Sequence, residues 1–137
     1  MRLAARLTTH AFSAGAAGVS FVVQVLPGSD QLFVIPIQYL LAASLAKERG
    51  ASLSKAAWSQ VHQLIWGGGA LRLVLDLTLG LIPLAGAFTN AITAFATTEY
   101  VGHYVESALD NPDDPPPALS IQGLIDAVTS LFTARSR

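Results

Sequence analysis

Glu99, His103 and Glu106 stand at i, i+4 and i+7, one face of any helix that holds them. Carboxylate and imidazole at that spacing can ligate a metal. A bundle site needs a second such helix, and no matching Glu-x-x-His occurs elsewhere in the chain. The expectation is therefore no metal site, with Glu99 paired to His103 at the polar end of a helix. Nor does a nucleophile or phosphate cradle accompany these residues, so nothing supports acid–base catalysis. Arg72 and Asp76, four apart, are the charges set deepest in apolar sequence. They are expected to form an internal ion pair, partly buried in a soluble core or facing the bundle interior in a membrane. No catalytic residue, cofactor or resident metal is expected.

The elements that carry these residues are helical. The chain has 137 residues, 52% hydrophobic and only 12% charged, with mean hydropathy +0.49 and no cysteine. Soluble domains average about 25% charged residues. Such a composition excludes disorder for most of the chain, a disulfide framework and a charge-driven nucleic-acid binder. Residues 7–29, 31–46, 56–71 and 77–98 carry no Asp, Glu, Lys or Arg. Pro27, Pro36 and Pro83 cut these runs into apolar pieces of about 14 to 17 residues, short of the roughly 20 a spanning helix needs. Arg2 and Arg6 precede a stretch too polar, at Thr8, Thr9, His10 and Ser13, for a secretory core.

Five helices are expected before a linker: 3–26, 31–49, 53–66, 70–82 and 87–109. Pro27, Gly28 and Asp30 form the first turn, with Asp30 as an N-cap. Pro36 kinks the second helix or delays its start, and Gly50 caps its end. Ser52 or Ser54 starts the third, and Gly67–Gly69 breaks the chain before the fourth. Pro83 to Gly86 forms the second proline turn. The fold class is thus all-α: two helix–proline turn–helix hairpins in a compact bundle over 1–109. An acidic, extended, proline-rich linker follows at 110–118, and an amphipathic helix at 119–137. Ile121, Leu124, Ile125, Val128, Leu131 and Phe132 repeat at helical spacing and make that last helix a partner-binding stripe. Small residues four apart (Ala11 and Gly15, Ala14 and Gly18, then Ala87, Ala91, Ala94, Thr98 and Gly102) suggest close helix approach. Gln38 and Asn90 are expected to tie helices by hydrogen bonds. His10 and His62 read as surface residues.

Several short motifs carry a resemblance. They are Val25-Leu26-Pro27-Gly28-Ser29-Asp30, Ile35-Pro36-Ile37-Gln38, a helix closing at Gly50, Gly69-Ala70-Leu71-Arg72-Leu73, and Leu81 through Ala87. Asn90-Ala91, Thr97-Thr98 and Gly102-His103-Tyr104 complete the set. Over about residues 11 to 109 the chain resembles a bacterial helical domain of unknown function fused behind Era- or Der-like GTPase domains. That resemblance implies membrane association or a GTPase partner. The phosphate-binding glycine loop is missing from this sequence, so a GTPase would act in trans.

These readings lead to a non-enzymatic, membrane-associated anchor, scaffold or accessory subunit on the cytoplasmic side, with protein, self and lipid as partners and no nucleic acid. Arg2, Arg6, Lys47, Arg49 and Lys55 fall at one end of such a bundle, as the positive-inside rule requires. The alternative is a soluble cytoplasmic α-helical oligomer that holds an apolar ligand or partner helix.

Overall fold

The computed structural model describes residues 1–22, 29, 31–79 and 83–117, with side chains described for all of these except 74–79 and 83–86. The described residues form four helices, α1 (Leu3–Val22), α2 (Gln31–Arg49), α3 (Lys55–Leu79) and α4 (Pro83–Asp110). They pack up-down-up-down into an all-α bundle, as expected. Consecutive helices touch, α1 closes the ring against α4, and α2 crosses the middle to reach α4. The turn residues Pro27, Gly28 and Asp30 lie outside the described residues, as does the stripe Ile121, Leu124, Ile125, Val128, Leu131 and Phe132.

Local signals explain the middle of the chain. Gly50 adopts φ 62°, a left-handed conformation that glycine enters without steric cost. Its amide donates to the Lys47 carbonyl (3.0 Å) and the Ala51 amide to the Ala46 carbonyl (3.1 Å), which closes α2 in a Schellman motif. Lys47 and Arg49 in the last turn suit the negative end of the helix dipole. Ser54 is the N-cap of α3, its Oγ accepting from the Ala57 amide at 3.1 Å.

Two expectations need correction. Gly67–Gly69 does not break the chain, because α3 runs through all three glycines. Each glycine costs about 1 kcal/mol relative to alanine in a helix. The helix persists against that cost: a Cβ on Gly68 would sit in ordinary contact with Thr97 at 3.4 Å, and one on Gly69 would lie 2.6 Å from the end of the Gln31 side chain. Gln31 Nε2 donates to the Gly69 carbonyl at 2.5 Å. Nor does Gly86 belong to a turn. Pro83 is the first residue of α4, where its fixed φ and missing donor are tolerated, and Gly86 sits within that helix. The second helix has its expected bounds: of the two readings for Pro36 the delayed start is not found, and the proline lies exposed inside α2.

The main core joins Leu41, Leu45, Leu53, Val61, Ile65 and Val105 with their neighbours from α2, α3 and α4, while α1 adds buried Ala5 and half-buried Phe12. It lies at the end of the bundle where α2 and α4 finish. Charged residues also collect there.

Candidate functional site

At the charged end, Glu106 on α4 is 3% exposed and receives two guanidinium groups. Arg49 Nη2 of α2 donates to it at 2.9 Å, and Arg2 Nη2, from the residue just before α1, at 3.4 Å. Arg49 Nη1 also donates to Asp110 at 2.5 Å. Those carboxylates raise the Arg49 pKa, Asp110 foremost, against an opposing effect of desolvation. Thr8 Oγ1 donates to Glu48 at 2.5 Å. One carboxylate thereby ties three helices.

Glu99, by contrast, pairs with His10 Nδ1 across the α1–α4 boundary at 2.6 Å. His10 also stacks on Phe95. His10 is therefore a surface residue with a charged partner that its sequence neighbours do not reveal. The expected Glu99–His103 pair is replaced because α1 brings His10 to the carboxylate. His103 instead faces a recess of about 210 Å³ with Tyr100, Tyr104, Ser107, Pro116 and Pro117. The face of α4 that sequence spacing assembles is thus shared among three separate contacts. Among the described residues, no three His, Asp or Glu side chains converge to hold a metal.

That recess corrects the reading of an extended linker. The chain turns at 111–114, where the Asp114 amide donates to the Asn111 carbonyl at 3.2 Å. It then runs back along α4, and Tyr104 Oη donates to the Pro116 carbonyl at 2.6 Å. Burial pushes the Tyr104 phenol above its ordinary pKa, with Tyr100 adding to the rise. The fold therefore favours the neutral phenol. This contribution is full below the ordinary tyrosine value of about 10 and is lost as pH rises through the higher folded value. In a spectroscopic titration of phenolate, one of the three tyrosines should ionise late, and Tyr104→Phe should remove that late phase. A Tyr104→Phe curve that keeps it would refute the assignment.

The bundle's other distinctive site is the α1–α4 boundary. The buried residues of α1 are Ala5, Thr9, Ser13, Ala16 and Ser20. Opposite them stand Asn90, Thr93, Ala94, Thr97, Thr98 and Gly102, all buried. Backbones approach closely enough that a Cβ on Gly102 would lie 2.4 Å from Thr9 Cγ2. Gln38 of α2 enters this seam and donates to Thr97 Oγ1 (3.2 Å) and Thr98 Oγ1 (3.1 Å), as its sequence position suggests. Thr97 Oγ1 in turn donates to the Thr93 carbonyl at 2.8 Å. Asn90 does not behave as expected: both its side-chain polar atoms are buried without a hydrogen-bond partner, as are Thr9 Oγ1 and Ser13 Oγ. Arg72, 1% exposed, donates to Ser20 Oγ at 3.4 Å from α3. The side chain of Asp76, its expected partner, lies outside the described residues.

The outward face of α1 carries the large side chains. Leu3, Leu7, Phe21 and Val22 are exposed, Val22 at 79%. Ala11, Ala14, Gly15 and Gly18 lie on this outer side too. Of the small residues expected to allow close approach, Gly102 and Ala94 of α4 meet α1 at Thr9 and Ala16, while Ala11, Ala14, Gly15 and Gly18 of α1 do not face the bundle. Near the junction of α1 with α4, Phe21 meets Phe88 edge to face at 5.6 Å. Leu32, Phe33, Leu73 and Phe88 are exposed toward the same end of the bundle, opposite Arg2, Lys47, Arg49, Lys55, Glu106 and Asp110.

No family model, curated protein or solved structure matches this chain.

Proposed function

We propose that this chain is a non-enzymatic helical anchor or accessory subunit that sits on the cytoplasmic face of a membrane with its apolar end in the lipid. The observation that carries this reading is the polarity of α1, whose fully buried residues are Ala5, Thr9, Ser13, Ala16 and Ser20 while Leu3, Leu7, Phe21 and Val22 are exposed and Phe12 is half-buried against the core. In water a helix gains by burying its large apolar side chains. In lipid that gain disappears, and helices associate through small and hydroxyl-bearing residues that allow close packing. Among the described residues, no helix is long and apolar enough to cross a membrane. The proposal is therefore partial entry from one side, with Phe21, Val22, Leu32, Phe33 and Phe88 at the inserted end. A GTPase acting in trans, as the sequence resemblance implies, is the proposed protein partner.

Alkaline washing of membranes from cells expressing the full chain tests this. The protein should remain in the pellet and float with vesicles. Leu32→Asp together with Phe33→Asp should weaken vesicle binding on the order of a hundredfold, because each lost apolar insertion is worth about 1.5–3 kcal/mol. Both residues are exposed, so the bundle should keep its helical signal. Release into a detergent-free, monodisperse fraction would overturn the proposal and favour the soluble oligomer, in which a second copy or partner helix covers α1.

A further inference from the structure

The exposed surface changes character at one height of the bundle. On α3 the exposed side chains include Ser59, His62 and Gln63, and after them come Trp66, Ala70 and Leu73. On α4 Phe88 is exposed before Glu99, and His103, Ser107 and Asp110 are exposed after it. Polar-tipped rings mark the change. On the α2–α3 side, Trp66 Nε1 donates to Tyr39 Oη at 3.1 Å, and Tyr39 Oη is hydrogen-bonded to His62 Nδ1. On the α1–α4 side stands the His10–Glu99 pair. The two sides are level, because Gln38, next to Tyr39, donates to Thr98, next to Glu99.

From this belt to the apolar end, Arg72 is the one ionisable group among the described side chains, and it is 1% exposed. A charge inside a membrane faces the bundle interior in the same way. The zone also has the height of one leaflet. At 1.5 Å per residue it runs about 18 Å on α1, from His10 to Val22, and about 20 Å on α3, from Trp66 to Leu79. It is shorter on α2, about 12 Å from Tyr39 to Gln31, and longer on α4, about 24 Å from Glu99 to Pro83. Half a bilayer with its headgroups is about 20–22 Å thick. Trp66 adds a chemical signal. Its side chain is well exposed, yet its N–H is taken by Tyr39 rather than left to solvent. A ring that meets an apolar phase needs such a partner for its donor.

We propose that Tyr39, His62 and Trp66, with His10 and Glu99 opposite, form the belt at which the bundle meets the headgroup level of a lipid leaflet. Tryptophan and tyrosine collect at that level because each has an apolar body and a polar tip. A zwitterionic phospholipid such as phosphatidylcholine suffices, since the belt relies on rings rather than on Lys or Arg. This inference rests on the membrane reading above and adds a depth and an orientation to it. The helices stand upright, with the charged end in water.

The chain has two tryptophans, and Trp58 lies about 12 Å along α3 from Trp66, toward Lys55. Trp58→Phe and Trp66→Phe leave one reporter each in the full chain. Flotation of the unaltered chain with phosphatidylcholine vesicles establishes binding, and helical circular dichroism checks the variants. On binding, iodide quenching in Trp58→Phe, which reports Trp66, should fall at least about threefold as the ring enters the interface. In Trp66→Phe, which reports Trp58, it should not change. Lipids brominated near the carbonyl end of the acyl chain should quench Trp66 more than lipids brominated near the methyl end. A chain that does not float overturns the membrane reading and the belt with it. A chain that floats with both tryptophans equally shielded, or with Trp66 still open to iodide, overturns the belt alone. Stronger quenching from the methyl end also overturns the belt alone, because it places Trp66 below the interface.

Discussion

Glu106→Ala is expected to cost about 3 kcal/mol of folding stability, because breaking a buried ion pair leaves its partner uncompensated. For a domain of this size that corresponds to a fall of roughly 10 °C in the unfolding midpoint. The carboxylate is 3% exposed and joins α1, α2 and α4 through Arg2 and Arg49. Without it, Arg49 keeps only Asp110, whose side chain is 60% exposed and therefore well solvated. The comparison that tests the idea is Arg2→Ala. Arg2 has a side chain 43% exposed and a longer contact of 3.4 Å. Its loss should cost less than about 1 kcal/mol, as for surface pairs. Thermal and denaturant unfolding of the two variants should therefore separate widely. Equal losses would show that Glu106 does not act as the buried hub.

Gly102→Leu should be at least as damaging, with a loss of about 3 kcal/mol or more, because overpacking at a rigid boundary usually costs 1–3 kcal/mol for smaller additions. Even an added Cβ would lie 2.4 Å from Thr9 Cγ2, 2.6 Å from Thr9 Oγ1 and 3.0 Å from Thr9 Cβ. Thr9 is β-branched and fully buried, so it has little rotamer freedom with which to give way. Gly102→Ala would gain up to about 1 kcal/mol in helix propensity and still lose stability overall. Thr9→Ala removes the two nearest atoms together with a buried hydroxyl that has no hydrogen-bond partner. The Gly102→Ala, Thr9→Ala pair should therefore be more stable than Gly102→Ala alone. A double-mutant cycle with no coupling would mean that the two helices do not meet there.

How far the sequence reveals this structure depends on the range of the interaction. The limits of α2, the glycine at its end and the serine that starts α3 are legible, because capping chemistry is local. Gln38 is legible as a tie, since an amide in an apolar run needs partners. The continuity of α3 is not, because three successive glycines read locally as a break and the neighbours of two of them, Thr97 and Gln31, are distant in sequence. The partner of Glu99 is likewise hidden, since His10 lies 89 positions away. His103 is four residues from Glu99, and spacing alone favours the wrong imidazole. The orientation of α1 is hidden for a different reason. Its sequence offers both a face of large apolar residues and a face of small and hydroxylated ones, and the rule for water selects the first as the buried face. The same ambiguity makes the α1–α4 seam the part of the candidate site that only the fold discloses.

The pairing of α1 with α4 also has a consequence during synthesis. The first helix to be made finds its principal partner in the last of the four, so the ring closes only after some sixty intervening residues have emerged. Closing a loop of that length is an entropic cost met late, after the local contacts of α2, α3 and α4 have formed. Until then both sides of α1 are uncovered, the hydroxyl-lined side that awaits α4 and the Leu3–Leu7–Val22 side that no described residue covers. A nascent chain in that state is prone to aggregate unless a surface receives it. If α1 binds a membrane as proposed, early binding would also protect the chain until α4 arrives.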